Sequence, residues 1–132
     1  MLLRVWDVTF IVADLRRAVA FYENVLCLPK KYEFSTYAGF DCGGVEIGLQ
    51  PGTPGKGHRG MPCVDFLVRD VAEVHRVLRK RGVHFLQEPH DVPWGARIAV
   101  FTDPDGNLLE IVQIDWRKYL AGCASQQLNG HV

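Results

Sequence analysis

A seven-residue stretch occurs twice in this chain, and the repeat limits the fold more than any other feature. Val8-Thr9-Phe10-Ile11-Val12-Ala13-Asp14 returns 56 residues later as Val64-Asp65-Phe66-Leu67-Val68-Arg69-Asp70. Each copy alternates apolar residues with a period of two, as a half-buried strand does, and ends on an aspartate suited to cap a helix. Each is followed by a helix-like segment and by a later strand carrying a glutamate, Val45-Glu46-Ile47 in one copy and Leu109-Glu110-Ile111 in the other. A duplicated unit brings equivalent positions together about a pseudo-twofold axis. The inward-facing residues expected to converge are Asp7, Glu46, Cys63 and Glu110.

A repeat unit of this size is marginal by itself, whereas 132 residues at 48% hydrophobic content can bury one core. The reading is therefore one domain over residues 1–124, with modules 5–50 and 61–114 and a flexible tail at 125–132. Fifteen basic residues balance fifteen acidic ones, so no net field draws the chain to nucleic acid or to an anionic membrane. Its opening apolar run breaks at Arg4 and Asp7, and no stretch approaches membrane-spanning length. Cys27, Cys42, Cys63 and Cys123 form neither a C-x-x-C pair nor a dense disulfide spacing, which favours reduced thiols. The expectation is a cytoplasmic protein with a small-molecule ligand.

In the first module the pattern predicts a strand over 5–12, a helix from Asp14 carrying Leu15, Ala18, Val19, Tyr22, Val25 and Leu26 inward and ended by Pro29, then strands near 31–34, 37–41 and 44–49 with a Gly43-Gly44 hairpin turn. In the second, Asp70 with Glu73 starts a helix and Gly82 ends it. Strands follow near 83–87, 96–102 and 107–114, the last two joined by Asp103-Pro104-Asp105-Gly106. A short helix is expected over 116–121. The Pro- and Gly-rich segment 50–60 reads as a linker. Its Gly55-Lys56 lacks the glycine and hydroxyl spacing of a phosphate loop, and His58 and Arg59 are candidates for the ligand rim.

Val8 to Leu15 with Phe21-Tyr22, Val64 to Asp70, Pro93-Trp94-Gly95-x-Arg97, and Phe101-x-Asp103-Pro104-Asp105-Gly106-Asn107-Leu108-x-Glu110 resemble the vicinal-oxygen-chelate superfamily. That group includes glyoxalase I, bleomycin-resistance proteins and extradiol dioxygenases. The resemblance implies an α+β fold of two tandem βαβββ modules, curved mixed sheets around a cavity, and a homodimer. It also implies metal ligands on the first and last strands of each module, most often His then Glu. Carried over, Glu46 and Glu110 are present, while Asp7 and Cys63 stand where the histidines would be. These departures argue against a standard glyoxalase I.

Two functional readings follow. In one, a divalent ion (Mn, Mg or Zn) held by Asp7, Glu46, Cys63 and Glu110 supports lyase, isomerase or dioxygenase chemistry, with Glu110 or Glu46 as the catalytic base. Three carboxylates would blunt such an ion as a Lewis acid. In the other there is no metal, and the chain sequesters a small molecule as bleomycin-resistance proteins do. Carboxylates sharing a cavity without a cation would then repel and take up protons. Trp94, Arg97, Phe40 and His84 are the candidate ligand contacts, as aromatic walls, an anion clamp and an acid or base. His90 is a further candidate beside the cavity, and His75 reads as surface.

Overall fold

The computed structural model describes residues 1–54 and 64–128, with side chains to 123. The described residues fall into two compact units. One is the first module joined by the turn Asp103–Asn107; the other is the second module without that turn, together with the C-terminal helix.

The first unit holds β1 (Asp7–Val12), α1 (Leu15–Ala20) running into a wider π-turn (Phe21–Val25), then β2 (Lys30–Glu33), β3 (Ala38–Cys42) and β4 (Val45–Pro51). Its sheet order is β1-β4-β3-β2, with β1 parallel to β4 and the other pairs antiparallel. The second unit repeats the plan with β5 (Val64–Leu67), α2 (Val71–Lys80), β6 (Phe85–Val92), β7 (Ala96–Thr102) and β8 (Leu108–Ile114), in the order β5-β8-β7-β6, and adds α3 (Trp116–Leu128). These are the two βαβββ modules of an α+β fold that the repeat predicts.

Local chemistry explains the shared plan. Asp14 and Asp70 cap their helices, accepting from the backbone N–H of Arg17 and Glu73 at 3.1 and 3.2 Å, an interaction that stabilises a helix by about 1 kcal/mol. Gly43 and Gly44, both at positive φ, make the two-residue β3–β4 turn. In each sheet one face packs on the helix. Phe10, Val12, Phe40, Ile47 and Leu49 do so in the first unit with Val19 and Tyr22, and Phe101, Leu109 and Ile111 in the second with Val71 and Leu78.

Three elements differ from the sequence expectation. The first helix widens at Phe21, where Leu26 N–H bonds five residues back to Phe21 C=O. In that turn Tyr22 is fully buried between Phe10 and Phe40, and its hydroxyl reaches the buried Asp103 carboxylate at 2.9 Å. β6 continues through Pro89, which is tolerated because β6 is the outer strand of its sheet and its register shifts between Gln87 and His90. α3 reaches Leu128, well past residue 121, because no proline interrupts it and Asp115 caps its first turn through Lys118 N–H. Among the described residues no helix is long and apolar enough to cross a membrane.

Candidate functional site

The face of each sheet turned away from its helix carries the candidate side chains, and strand register decides which of them stand together. In the first unit the ladder sets Asp41, Glu46 and Asp7 in one row across β3, β4 and β1, and Tyr32, Gly39, Gly48 and Thr9 in the next. In the second unit Gln87, Val100, Glu110 and Asp65 form a single row across β6, β7, β8 and β5. Thr9 and Asp65 each lie five residues before their capping aspartates, 14 − 9 and 70 − 65. Measured from the caps, the counterpart of Glu110 is therefore Gly48. The sequence alignment of Glu46 with Glu110 is out by two positions.

Glu46 is buried, its side chain 3% exposed, beneath its own hydrogen-bond partners. Tyr32 Oη donates to Oε1 and Tyr37 Oη to Oε2, each at 2.6 Å, and Lys31 Nζ lies 3.0 Å from Oε1. The two phenols, aided by Lys31, hold the Glu46 carboxyl below its ordinary range. Burial and the bond to Glu46 push the Tyr37 phenol up to about 12. Asp7, on the neighbouring strand, is exposed and accepts a bond from Thr9 Oγ1 at 3.3 Å.

Glu110 and Asp65 behave in the opposite way. They are register partners on parallel strands, so their backbones are about 4.8 Å apart and both side chains leave the same face. Burial first, and then the charge of Asp65, push the Glu110 carboxyl above its ordinary range, while His90 pulls it back. Burial likewise raises Asp65. His90, on β6 opposite Ile98, donates from Nδ1–H to Glu88 C=O at 2.8 Å. The expected mutual repulsion of carboxylates is thus found at Asp65 and Glu110, and not at Glu46.

The remaining expected contacts are placed elsewhere. Phe40 is fully buried on the helix side, opposite Ile47, so it packs the core instead of walling a ligand face. Arg97 pairs in register with Gln113, whose side chain accepts the N–H of Val71 at the start of α2; this is the face opposite Glu110. There Arg97 binds Asp91 at 2.7 Å and lines, with Asp115 and Lys118, a cavity of about 400 Å³. Trp94 sits at the β6–β7 hairpin tip, edge-on to Tyr119 of α3 at 6.1 Å. His84 is exposed just before β6. His75 is mostly covered on α2, its ring 4.5 Å from Phe85 and paired with Glu88. Cys63, His58 and Arg59 lie outside the described residues.

Of the four expected metal ligands, Asp7, Glu46 and Glu110 are among the described residues. Among the described residues no three His, Cys, Asp or Glu side chains gather closely enough to hold an ion. Asp7 and Glu46 belong to one unit and Glu110 to the other, and both Glu46 oxygens already have donors. The sequence reading assigned no site role to Lys31, Tyr32, Tyr37 or Asp65. Strand alternation, which sets Asp65 two residues from Cys63 on the same face, was the available signal for the pairing of Asp65 with Glu110.

The glyoxalase/bleomycin resistance protein/dioxygenase superfamily model matches residues 5–111. The chain belongs to that superfamily. The Bacillus subtilis (strain 168) protein YraH is 32% identical over 127 residues, covering 85% of this chain and 99% of its own length. A superfamily member from Sphaerobacter thermophilus DSM 20745 has a similar crystal structure, with a TM-score of 0.73, 29% identity and coverage of 85% of this chain and 98% of that one. The fosfomycin resistance protein FosX of Listeria monocytogenes, crystallised with Mn(II) and sulfate, shares the fold at a TM-score of 0.78, with 23% identity over 93% of this chain and 99% of its own.

Proposed function

We propose that this superfamily member acts on a small molecule at the second module's carboxylate row, with Asp65 and Glu110 as a proton-transferring pair. The observation that carries the reading is their register pairing on one face, where burial raises both carboxyls and the charge of Asp65 raises Glu110 further. A carboxyl held above its ordinary range keeps a proton at a pH where a free one has lost it, and its ionised neighbour can accept one. Perturbed acid pairs of this kind are characteristic of working sites. Val100, Ile98 and Val112 lie on the same face and offer an apolar surface for the carbon skeleton. The chemistry best matched is removal and return of a proton beside a carbonyl group, as in a lyase or isomerase. His90, on β6 two strands away, lowers the Glu110 carboxyl.

The test is proton exchange in D2O, followed by NMR, with a panel of small hydroxy-carbonyl compounds. Wild type should exchange at least one of them, and Asp65→Asn and Glu110→Gln should each lose 100-fold or more. Binding of a panel compound without exchange, unaffected by Glu110→Gln, would instead favour sequestration in the manner of bleomycin-resistance proteins. The FosX crystals with Mn(II) support a second reading in which the Asp65 and Glu110 carboxylates help to recruit a divalent ion. Under it, Mn(II) would raise the melting temperature of wild type but not of Glu110→Gln.

We further propose a cytoplasmic homodimer. β1, β2, β5 and β6 are the outer strands of their sheets and β5 exposes Leu67; a single monomer boundary in sedimentation across a wide concentration range would refute it.

A further inference from the structure

Superfamily resemblance gives Glu46 the part of a metal ligand, but its surroundings give it another. A carboxylate that takes up a divalent ion must turn an oxygen lone pair towards it. Here Oε1 takes Tyr32 Oη and Lys31 Nζ, and Oε2 takes Tyr37 Oη. Lys31 already supplies the compensating positive charge, and its ammonium also lies 5.7 Å above the Trp6 ring and 5.8 Å above the Tyr32 ring. An ion on Glu46 would compete with phenol hydrogen bonds to a charged acceptor and stand beside this ammonium.

The register adds an independent observation. Gly48 holds the position that Glu110 holds in the second module, and that position is filled from outside. A Cβ built on Gly48 would meet Tyr37 Oη at an impossible separation, and would lie 2.7 Å from Tyr37 Cζ and 2.8 Å from Thr9 Oγ1. Gly39, next in the row, lies beneath Tyr32 and Glu46 in the same way, with 2.9 Å to Tyr32 Cζ and 3.0 Å to the Glu46 carboxyl carbon. Two adjacent glycines thus make room for two phenol rings, stacked at 6.0 Å between centroids, and Glu46 ties their hydroxyls together.

We infer that Glu46 is the positioning residue of a Tyr32–Tyr37 phenol clamp occupying the first module's ligand position, and that any divalent ion bound by this chain is held without Glu46. The inference does not depend on proton transfer at Asp65 and Glu110.

Thermal unfolding of the full chain and of Glu46→Gln, with and without Mn(II), together with a phenol absorbance titration, tests it. Without metal, Glu46→Gln should lower the melting temperature by about 5 °C or more, since charged hydrogen bonds are lost from a small protein. The shift that Mn(II) produces should be the same in both proteins, whether that shift is zero or large. In wild type one phenol should ionise at about 12, and in Glu46→Gln it should move back towards 10, a change that general loosening at another site would not produce. An unchanged or raised melting temperature in the metal-free variant, or loss of a Mn(II) shift that wild type shows, overturns the inference. If Glu46→Gln does not fold, Gly48→Ala decides. Its loss in melting temperature should shrink by half or more in a Tyr37→Ala background, and additive losses would mean that Tyr37 does not fill that place.

Discussion

The row Tyr32–Gly39–Gly48–Thr9 of the first module and the row Gln87–Val100–Glu110–Asp65 of the second occupy the same place in the same repeat, yet they solve opposite problems. The first has no acid of its own. It presents two glycines covered by phenols, and the acid of the next row, Glu46, is supplied with three donors and held ionised. The second carries two acids side by side, with no ion pair to either among the described residues, and both pushed towards the protonated form. Duplication therefore preserved the scaffold while the electrostatics diverged. A carboxylate's neighbours, more than its position in the repeat, decide whether it anchors structure or stays available for chemistry.

The widest gap between the rows should be exposed by Glu46→Ala, which strands two phenol hydroxyls and Lys31. We expect a loss of about 3 kcal/mol in urea unfolding, since hydrogen bonds to charged groups contribute about 1.5 to 3 kcal/mol each and part is recovered by water. A loss below about 1 kcal/mol would show that the clamp contributes little. Next in size is Gly39→Ala, whose Cβ would press on Tyr32 and on the Glu46 carboxyl. Overpacking of this kind costs roughly 1 to 3 kcal/mol, and a neutral result would mean that the Tyr32 ring moves aside freely.

The second row should respond with the opposite sign. Asp65→Asn or Glu110→Gln removes one of two crowded acids, so each should stabilise the protein at neutral pH by up to about 1 kcal/mol. Destabilisation by either would point to an unseen donor.

The smallest expected effect is in the pH profile. Glu46 is depressed on folding, so its contribution is present above the ordinary carboxylate range and is lost as pH falls through its lowered value. Glu110 is raised, so the folded state holds its proton longer; stability falls as pH climbs from the ordinary carboxylate range through the raised value. Comparing melting temperatures between pH 3 and pH 7, Glu46→Gln should flatten the acid limb and Glu110→Gln should remove the decline on the neutral side. Identical profiles for the two variants would erase the distinction between the modules.

Much of the scaffold was legible because its signals are local. Alternation in 8–12 and 64–68, the caps Asp14 and Asp70, the Gly43-Gly44 turn and the Gly82 helix stop each involve residues a few positions apart, and the structure uses each of them. The site was read less well. Phe40 was assigned to the ligand face by residue type and Arg97 by strand parity, but the observed pairing puts both on the helix side.

By itself the sequence determined that two like units would form, where their helices begin, and that acids would lie on the inward faces, because hydrophobic periodicity and capping are properties of short segments. Only the tertiary structure decided which acid meets which partner. That depends on ladder register, which sets Glu46 opposite Asp7 in one module and Glu110 opposite Asp65 in the other, two positions apart when counted from the caps. It depends also on donors that reach Glu46 from Lys31, Tyr32 and Tyr37, on β2 and at the start of β3. A side chain's charge state is set by what surrounds it in space, and that enclosure exists only once the strands have paired.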